Sequence, residues 1–300
     1  MPPFAPLTLG TVQLGMSYGI ANAGGQPGKE QAAEILAAAL GSGFAFLDTA
    51  PAYGNSEETL GALLPAVAGA EVAQVVSKVT GGQDPADWGD QLEESLRRLG
   101  RPSLHSWLLH DENDFARIVT DTWALIYYLK NIGRITNFGV SCYTPAVAMK
   151  AVRMPLVNAV QVPGNVFDRR FLSDECLDAA HAGGAFVFVR SVFLQGLCLM
   201  EPDAVPPRLP GAVEGVTALR LHCQEAGLSP QAFCLHYVNH RLRGRAHSLV
   251  LGVDSDTQVR ELVAAMNQPS PGVEVFEEWE KRWPKSPPEM INPSTWGVYR

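Results

Sequence analysis

Long apolar runs are missing from this 300-residue chain. None approaches the roughly 18 consecutive residues that a membrane-spanning helix needs, so no membrane partner is expected. The N-terminal stretch MPPFAPLTLGT has neither a basic region nor an apolar core, and no export signal is expected from it. Cysteine is scarce: Cys142, Cys176, Cys198, Cys223 and Cys234 make an odd number, with no CxxC pair among them. A reduced, cytoplasmic setting therefore fits better than a disulfide framework or a zinc site. Basic residues are outnumbered, 23 Lys and Arg against 31 Asp and Glu, for a net charge of −8. That balance lacks the electrostatic footprint of a nucleic-acid binder and serves solubility instead. No low-complexity segment and no domain linker interrupts the chain.

The chain is 46% hydrophobic, and apolar and amphipathic segments alternate along it. Short runs rich in Val, Ile, Leu and Phe read as buried parallel strands. They fall near 7–14, 44–48, 72–79, 104–110, 135–140, 157–162, 185–190 and 247–252. Helical segments fall between them, near 29–42, 57–68, 87–100, 114–132, 144–153, 172–183, 211–240 (as one helix or two) and 256–267. Gly100 and Gly133 stand where helix C-caps belong. Ser229-Pro230 reads as an N-cap followed by a first-turn proline. Eight βα units in series predict an α/β fold, a closed (β/α)8 TIM barrel forming a single domain. The stretch 201–211 holds four prolines and reads as a surface loop. A Pro-rich tail from about 268 carries Trp279, Trp283, Trp296 and Tyr299, aromatics expected to pack it onto the barrel.

In such barrels chemistry gathers at the C-terminal ends of the strands. Asp48 ends the second strand, Lys78 the third and His110 the fourth. Taken singly, each has an ordinary reading as a cap, a snorkelling side chain or a satisfied core histidine. Together, on successive strand ends, they point to one site, because ionisable groups are rarely buried without partners. Tyr53, in the loop after Asp48, then becomes a candidate proton donor. A nearby ammonium is expected to pull its phenol below the usual value.

The run Asp48-Thr49-Ala50-Pro51-Ala52-Tyr53-Gly54-Asn55-Ser56-Glu57 resembles the signature of the aldo-keto reductase superfamily. The likeness continues through Gly10-Thr11, Ser77-Lys78-Val79, Leu108-Leu109-His110, Gly139-Val140-Ser141, Gln161, Arg190–Gly196 and Gly252–Gln258. The resemblance implies hydride transfer between a nicotinamide cofactor and a small-molecule carbonyl substrate. Tyr53 would be the general acid, Lys78 and Asp48 would tune it, and His110 would orient the carbonyl. It also implies cofactor contacts at Thr11, Asp48, Ser141, Gln161, Arg190, Ser191, Phe193, Gln195, Gly196, Gly252, Asp254, Ser255, Gln258 and Glu261. Cys142, Arg190 and Leu262 depart from the residues many members carry at those places. NADPH is the expected cofactor, with NAD possible. Asp254 argues against a 2′-phosphate, but Arg243, Arg245 or Arg260 could reach one, and Ser255 and Gln258 match phosphate-binding positions. The polar run Asp111-Glu112-Asn113-Asp114 suits a sugar-like substrate if it borders the pocket, or only caps a helix. Two rivals stand beside the reductase: a non-catalytic sensor or scaffold of the same fold, and a metal-dependent hydrolase using Asp48 and His110. Oligomeric state is left open.

Overall fold

A computed structural model describes residues 5–242, 245 and 247–296. Eight parallel strands close into a barrel in sequence order. They are β1 (Leu7–Gly10), β2 (Phe44–Asp48), β3 (Gln74–Val79), β4 (Leu104–Leu109), β5 (Ile135–Ser141), β6 (Val157–Pro163), β7 (Phe186–Arg190) and β8 (His247–Gly252). The helices are α1 (Val12–Gly15), α2 (Lys29–Gly41), α3 (Ser56–Leu63), α4 (Trp88–Leu99), α5 (Thr120–Asn131), α6 (Pro145–Ala151), α7 (Asp174–Ala182), α8 (Ala212–Glu225), α9 (Pro230–Leu242), α10 (Asp256–Met266), α11 (Val273–Arg282) and α12 (Pro288–Ile291). No helix among the described residues is long and apolar enough to cross a membrane.

The strand alternation decides where the polar residues go. Side chains along a strand face opposite sides in turn. A compact apolar cluster of Phe46, Val76, Leu108, Ala159, Phe188 and Val250 fills the barrel interior. Two residues further along the same six strands stand Asp48, Lys78, His110, Gln161, Arg190 and Gly252. The period of two therefore lifts each of these onto the rim directly above an apolar floor. A shift of one residue in any strand would turn its rim residue away from the lumen.

Two boundaries differ from the sequence reading, at β1 and at α5. β1 stops at Gly10, and Val12–Gly15 coils into α1 instead of extending the strand. The segment expected as one helix over 114–132 begins with a 3-10 turn at Glu112–Arg117 and resumes as α5. The helical stretch 211–240 is two helices, α8 and α9. The tail is helical, which its prolines had hidden. Trp279 of α11 is fully buried and its Nε1 donates to Val166 O at 3.0 Å. Trp283 packs on Phe167, and Trp296 is buried as well. Tyr299 lies outside the described residues.

Candidate active site

At the centre of the rim, Lys78 Nζ donates to Asp48 Oδ1 at 2.8 Å and to Thr49 O at 2.9 Å. Both side chains are buried, at 1% and 3% exposure. A charge pair this deep persists only with further hydrogen bonds. Gln161 supplies one, its Nε2 donating to the same Asp48 oxygen at 2.7 Å. Lys78 Nζ also lies 4.7 Å from the centre of the Tyr53 ring. His110 meets that ring edge-on, with centroids 5.5 Å apart. The four residues singled out from strand ends and signature are thus brought together.

Two glycines hold Tyr53 in place. Gly54 has φ +58, a left-handed conformation that suits glycine. A Cβ there would sit 2.2 Å from Gly15 O, and a Cβ on Gly15 would sit 1.8 Å from Tyr53 O. The coil of α1 and the Tyr53 loop thus interlock backbone to backbone. Behind them, Glu57 is buried and bridges Arg98 Nε at 2.8 Å and Ser77 Oγ at 2.6 Å, pinning α3 to α4 and β3. Thr11 spends its hydroxyl on Asp48 O at 2.8 Å and on Ser56.

Electrostatics separate the two candidate proton carriers. Burial, reinforced by the cations Lys78 and Arg190, drives His110 down to about 3. Its imidazole is therefore neutral at ordinary pH and can polarise a carbonyl only as a hydrogen-bond donor. Tyr53 moves the other way. Burial first, and then the Asp48 carboxylate, hold its phenol well above 10. That corrects the expectation of a lowered phenol. The ammonium charge is already matched by Asp48, and burial penalises the phenolate. Tyr53 thus keeps its proton across the neutral range. Burial also lowers Lys78, against the pull of Asp48.

A cleft of about 530 Å³ runs from this cluster across the rim. Its walls include Thr11, Ser141, Gln161, Arg190, Ser191, Phe193, Gln195 and Gly196, then Gly252, Asp254, Gln258 and Glu261. Lys78 stands behind Asp48 and does not line it. Ser255 does not line it either. Its hydroxyl caps α10 by accepting from Gln258 N at 3.2 Å. The loop after β7 carries positive φ at Ser191, Leu194, Gln195 and Gly196. Such strain costs on the order of 1–3 kcal/mol per non-glycine residue. Buried Val192 and Leu194 hold it in place. Successive amides in this conformation form a concavity suited to an anion.

The cleft also holds residues that sequence reasoning missed: Gln13, Tyr18, Asn22 and Tyr143. Tyr18 Oη accepts from Gln195 Nε2 at 3.1 Å, and Asn22 Nδ2 donates to Asp254 Oδ1 at 3.1 Å. These two bonds carry the segment after β1 over the cleft like a strap. Asn22 was detectable as the head of an Asn-Ala-Gly-Gly turn, since its Oδ1 accepts from the amides of Gly24 and Gly25. The Arg190 guanidinium lies over the ring of Tyr143, 4.4 Å from its centroid.

The run 111–114 turns away from the cleft. Asp111 accepts from Asn113 N at 2.9 Å. Glu112 accepts from the amides of Tyr143 at 2.6 Å and Thr144 at 3.0 Å. Asp114 accepts from Gly82 N and pairs with Arg117. All three carboxylates satisfy backbone donors, but only Asp111 caps the turn that follows it, while Glu112 and Asp114 hold amides of neighbouring loops. Among the described residues no group of three or more His, Cys, Asp or Glu is arranged to hold a metal ion.

Fit to a dinucleotide can be judged from unmet valences. Gln161 Oε1 and Gln13 Oε1 are buried acceptors with no protein partner, and both residues line the cleft. Gly252 leaves room there, since a Cβ would come 2.5 Å from Gln13 Nε2. Free acceptors in the wall, a loop nest suited to an anion and the helix start of α10 are together what an extended dinucleotide would need.

The fold is a closed parallel barrel whose rim carries a cleft, with Asp48, Tyr53 and His110 in its wall and the Ser191–Gly196 loop along it. The chain belongs to the aldo/keto reductase family, whose model matches residues 6–281. That family is one of nicotinamide-dependent oxidoreductases acting on carbonyls. An aldo-keto reductase from Mycobacterium sp. (strain KMS) is 34% identical over 119 residues, 39% of this chain and 42% of that protein. A 2,5-diketo-D-gluconic acid reductase B from Corynebacterium sp. (strain SHS752001) is 29% identical over 165 residues, covering 53% of this chain and 55% of that protein. The chain thus aligns with only about half, or less, of these curated relatives. The solved glycerol dehydrogenase from Gluconobacter oxydans superposes with a TM-score of 0.74 at 23% identity, over 97% of this chain and 94% of that one, a likeness of fold.

Proposed function

We propose that the protein reduces an aldehyde or ketone with a nicotinamide cofactor, or runs the reverse alcohol oxidation. The observation that carries this reading is the buried Lys78–Asp48 pair set against Tyr53, with a neutral His110 on the other side. In reduction the Tyr53 hydroxyl donates its proton to the carbonyl oxygen. His110 donates a hydrogen bond to the same oxygen and orients it. The Lys78 ammonium supplies a fixed positive field beside the phenolate left behind, and Asp48 and Gln161 keep that ammonium aimed. Bound in the cleft, the nicotinamide supplies the hydride. Ser141 and the free acceptor of Gln161 would hold its carboxamide. The Ser191–Gly196 loop would take the pyrophosphate. Gly252 and Gln258 would flank the adenosine.

A small hydroxylated carbonyl compound is the proposed substrate class. Its support is the activity named for one relative, the diketogluconate reductase. Asp111–Asp114 lend it none.

The test is Tyr53→Phe, which removes the donor and leaves the ring. Turnover with a panel of carbonyls should fall by about 10²–10⁴-fold, while the dissociation constant of the cofactor stays within about twofold. Near-normal turnover in Tyr53→Phe would refute the assignment. A wild type that binds cofactor but reduces no carbonyl would favour the sensor reading.

A further inference from the structure

The nicotinamide end of the cleft is fixed by Tyr53 and His110, so a dinucleotide laid along it must put its adenosine at the other end. There the cleft is lined by Asp254 and Glu261, two carboxylates, together with the amide of Gln258. A 2′-phosphate is a dianion near neutral pH and needs cationic or donor-rich surroundings. No described cation supplies them.

Each candidate can be followed to where it sits. Arg245 precedes β8, and Gly252 ends it. Five strand steps separate His247 from Gly252, roughly 17 Å, so Arg245 lies at the opposite end of the barrel, where it pairs with Asp178. Arg243 lies outside the described residues, two positions before Arg245. Arg260 is on α10 but on its wrong side. Gln258, Glu261 and Leu262 form the face of α10 that lines the cleft. At about 100° per residue, Arg260 points roughly 150° away from the centre of that face. It is 65% exposed and paired with Asp256. Lys29 opens onto a separate groove between α2 and α3. The one arginine in the cleft wall, Arg190, turns toward β5, against Cys142 O and Tyr143, at the catalytic end.

Asp254 is also held, not merely near. Its Oδ1 accepts from Asn22 Nδ2 at 3.1 Å. Its backbone carbonyl accepts from Gln31 Nε2 at 2.9 Å, and its amide donates to Gln258 Oε1 at 2.7 Å. That leaves Oδ2 with no donor among the described residues, an acceptor held in the cleft wall. A carboxylate so placed accepts a hydrogen bond from a free ribose hydroxyl and repels a phosphate on the same carbon.

We propose that Asp254 is the specificity-determining residue for the cofactor and that it selects the 2′-hydroxyl form, NADH over NADPH. This rests on the carbonyl-reductase reading above and reverses the NADPH expectation drawn from Arg243, Arg245 or Arg260 and from the match at Ser255 and Gln258.

The experiment is direct binding of NADH and of NADPH, by calorimetry, to the wild-type protein and to Asp254→Asn, Asp254→Arg and Arg260→Ala. Asp254→Asn keeps the size and removes the charge. The wild type should bind NADH at least about tenfold tighter than NADPH, a difference of about 1.4 kcal/mol. Asp254→Asn should close most of that gap by tightening NADPH. Asp254→Arg should invert it. Arg260→Ala should leave both constants within about twofold. Equal or tighter binding of NADPH by the wild type would overturn the inference, as would loss of NADPH binding in Arg260→Ala. If the wild type binds neither nucleotide, the reductase reading fails and this inference with it. If it binds both and prefers NADPH, the reductase reading survives and only the role of Asp254 falls.

Discussion

The two ends of the cleft are built on opposite plans. At the Tyr53 end Asp48, Lys78 and Gln161 stand on strands, one period above an apolar floor. Lys78, Asp48 and Gln161 answer one another's hydrogen bonds with almost no solvent. At the Asp254 end the polar groups stand on loops and on the first turns of α10. Asp254 is held there by Asn22 and Gln31, which reach it from a different part of the chain. A strand end fixes a charge by the register of the whole barrel, whereas a loop end fixes it by a few local bonds. The first plan suits chemistry, where position is critical. The second suits a ligand that has to enter and leave.

The largest effect should come from breaking the rigid end. Lys78→Met removes one member of a buried charge pair and strands Asp48. Loss of stability should be about 3–5 kcal/mol, measured by denaturant unfolding, with carbonyl reduction lost as well. A stability loss below about 1 kcal/mol would mean that Asp48 is better solvated than its 3% exposure implies.

Acid should act next. The folded pKa of His110 lies near 3, below the ordinary 6.5, so the unfolded chain takes up the proton first. Stability from this group is therefore present above pH 6.5 and is lost as the pH falls through the window from 6.5 to 3. The slope is at most about 1.4 kcal/mol per pH unit. Burial lowers His105, His222, His236 and His247 too, and they add to it. Within the pH range where the protein stays folded, the kcat/KM profile for reduction should show no ionisation near 6.5, because His110 is already neutral and Tyr53 still protonated. An inflection there would mean that His110 titrates normally and that the rim is wetter than its packing indicates.

The smallest effect belongs to the loop end. Gln195→Ala removes the bond to Tyr18 across the cleft. Since one such bond is worth about 0.5–1.5 kcal/mol, cofactor dissociation should speed up by roughly 2- to 13-fold, read by stopped-flow fluorescence. Unchanged dissociation would show that Asn22 alone holds the strap.

The same contrast explains what could be read without coordinates. Alternation along β2, β3 and β4 carries Asp48, Lys78 and His110 to one rim. A period of two in a buried strand is legible in the residues themselves, and so is the order of the eight strands. Loop conformation has no such period. Ser255 looked like a ligand contact because the residues around it match, yet its hydroxyl is consumed by the first turn of α10. Asp111, Glu112 and Asp114 looked able to meet a substrate, yet unpaired amides at Gly82, Tyr143 and Thr144 claim two of them, and the amide of Asn113 claims the third. The helix α11 was masked by the prolines around it, although Phe276 and Trp279 stand three apart on its buried face. The direction of the Tyr53 shift depended on desolvation, which only packing reveals.

The strap formed by Tyr18 and Asn22 has a kinetic side. A dinucleotide seated beneath it would have to pass the bonds Asn22–Asp254 and Tyr18–Gln195 on its way out, which a small carbonyl compound need not do. Exchange of the large ligand and exchange of the small one thus meet different barriers in one continuous cavity. If opening of the strap limits release, fast substrates would share a common ceiling on turnover, which steady-state kinetics over a panel of carbonyls would show.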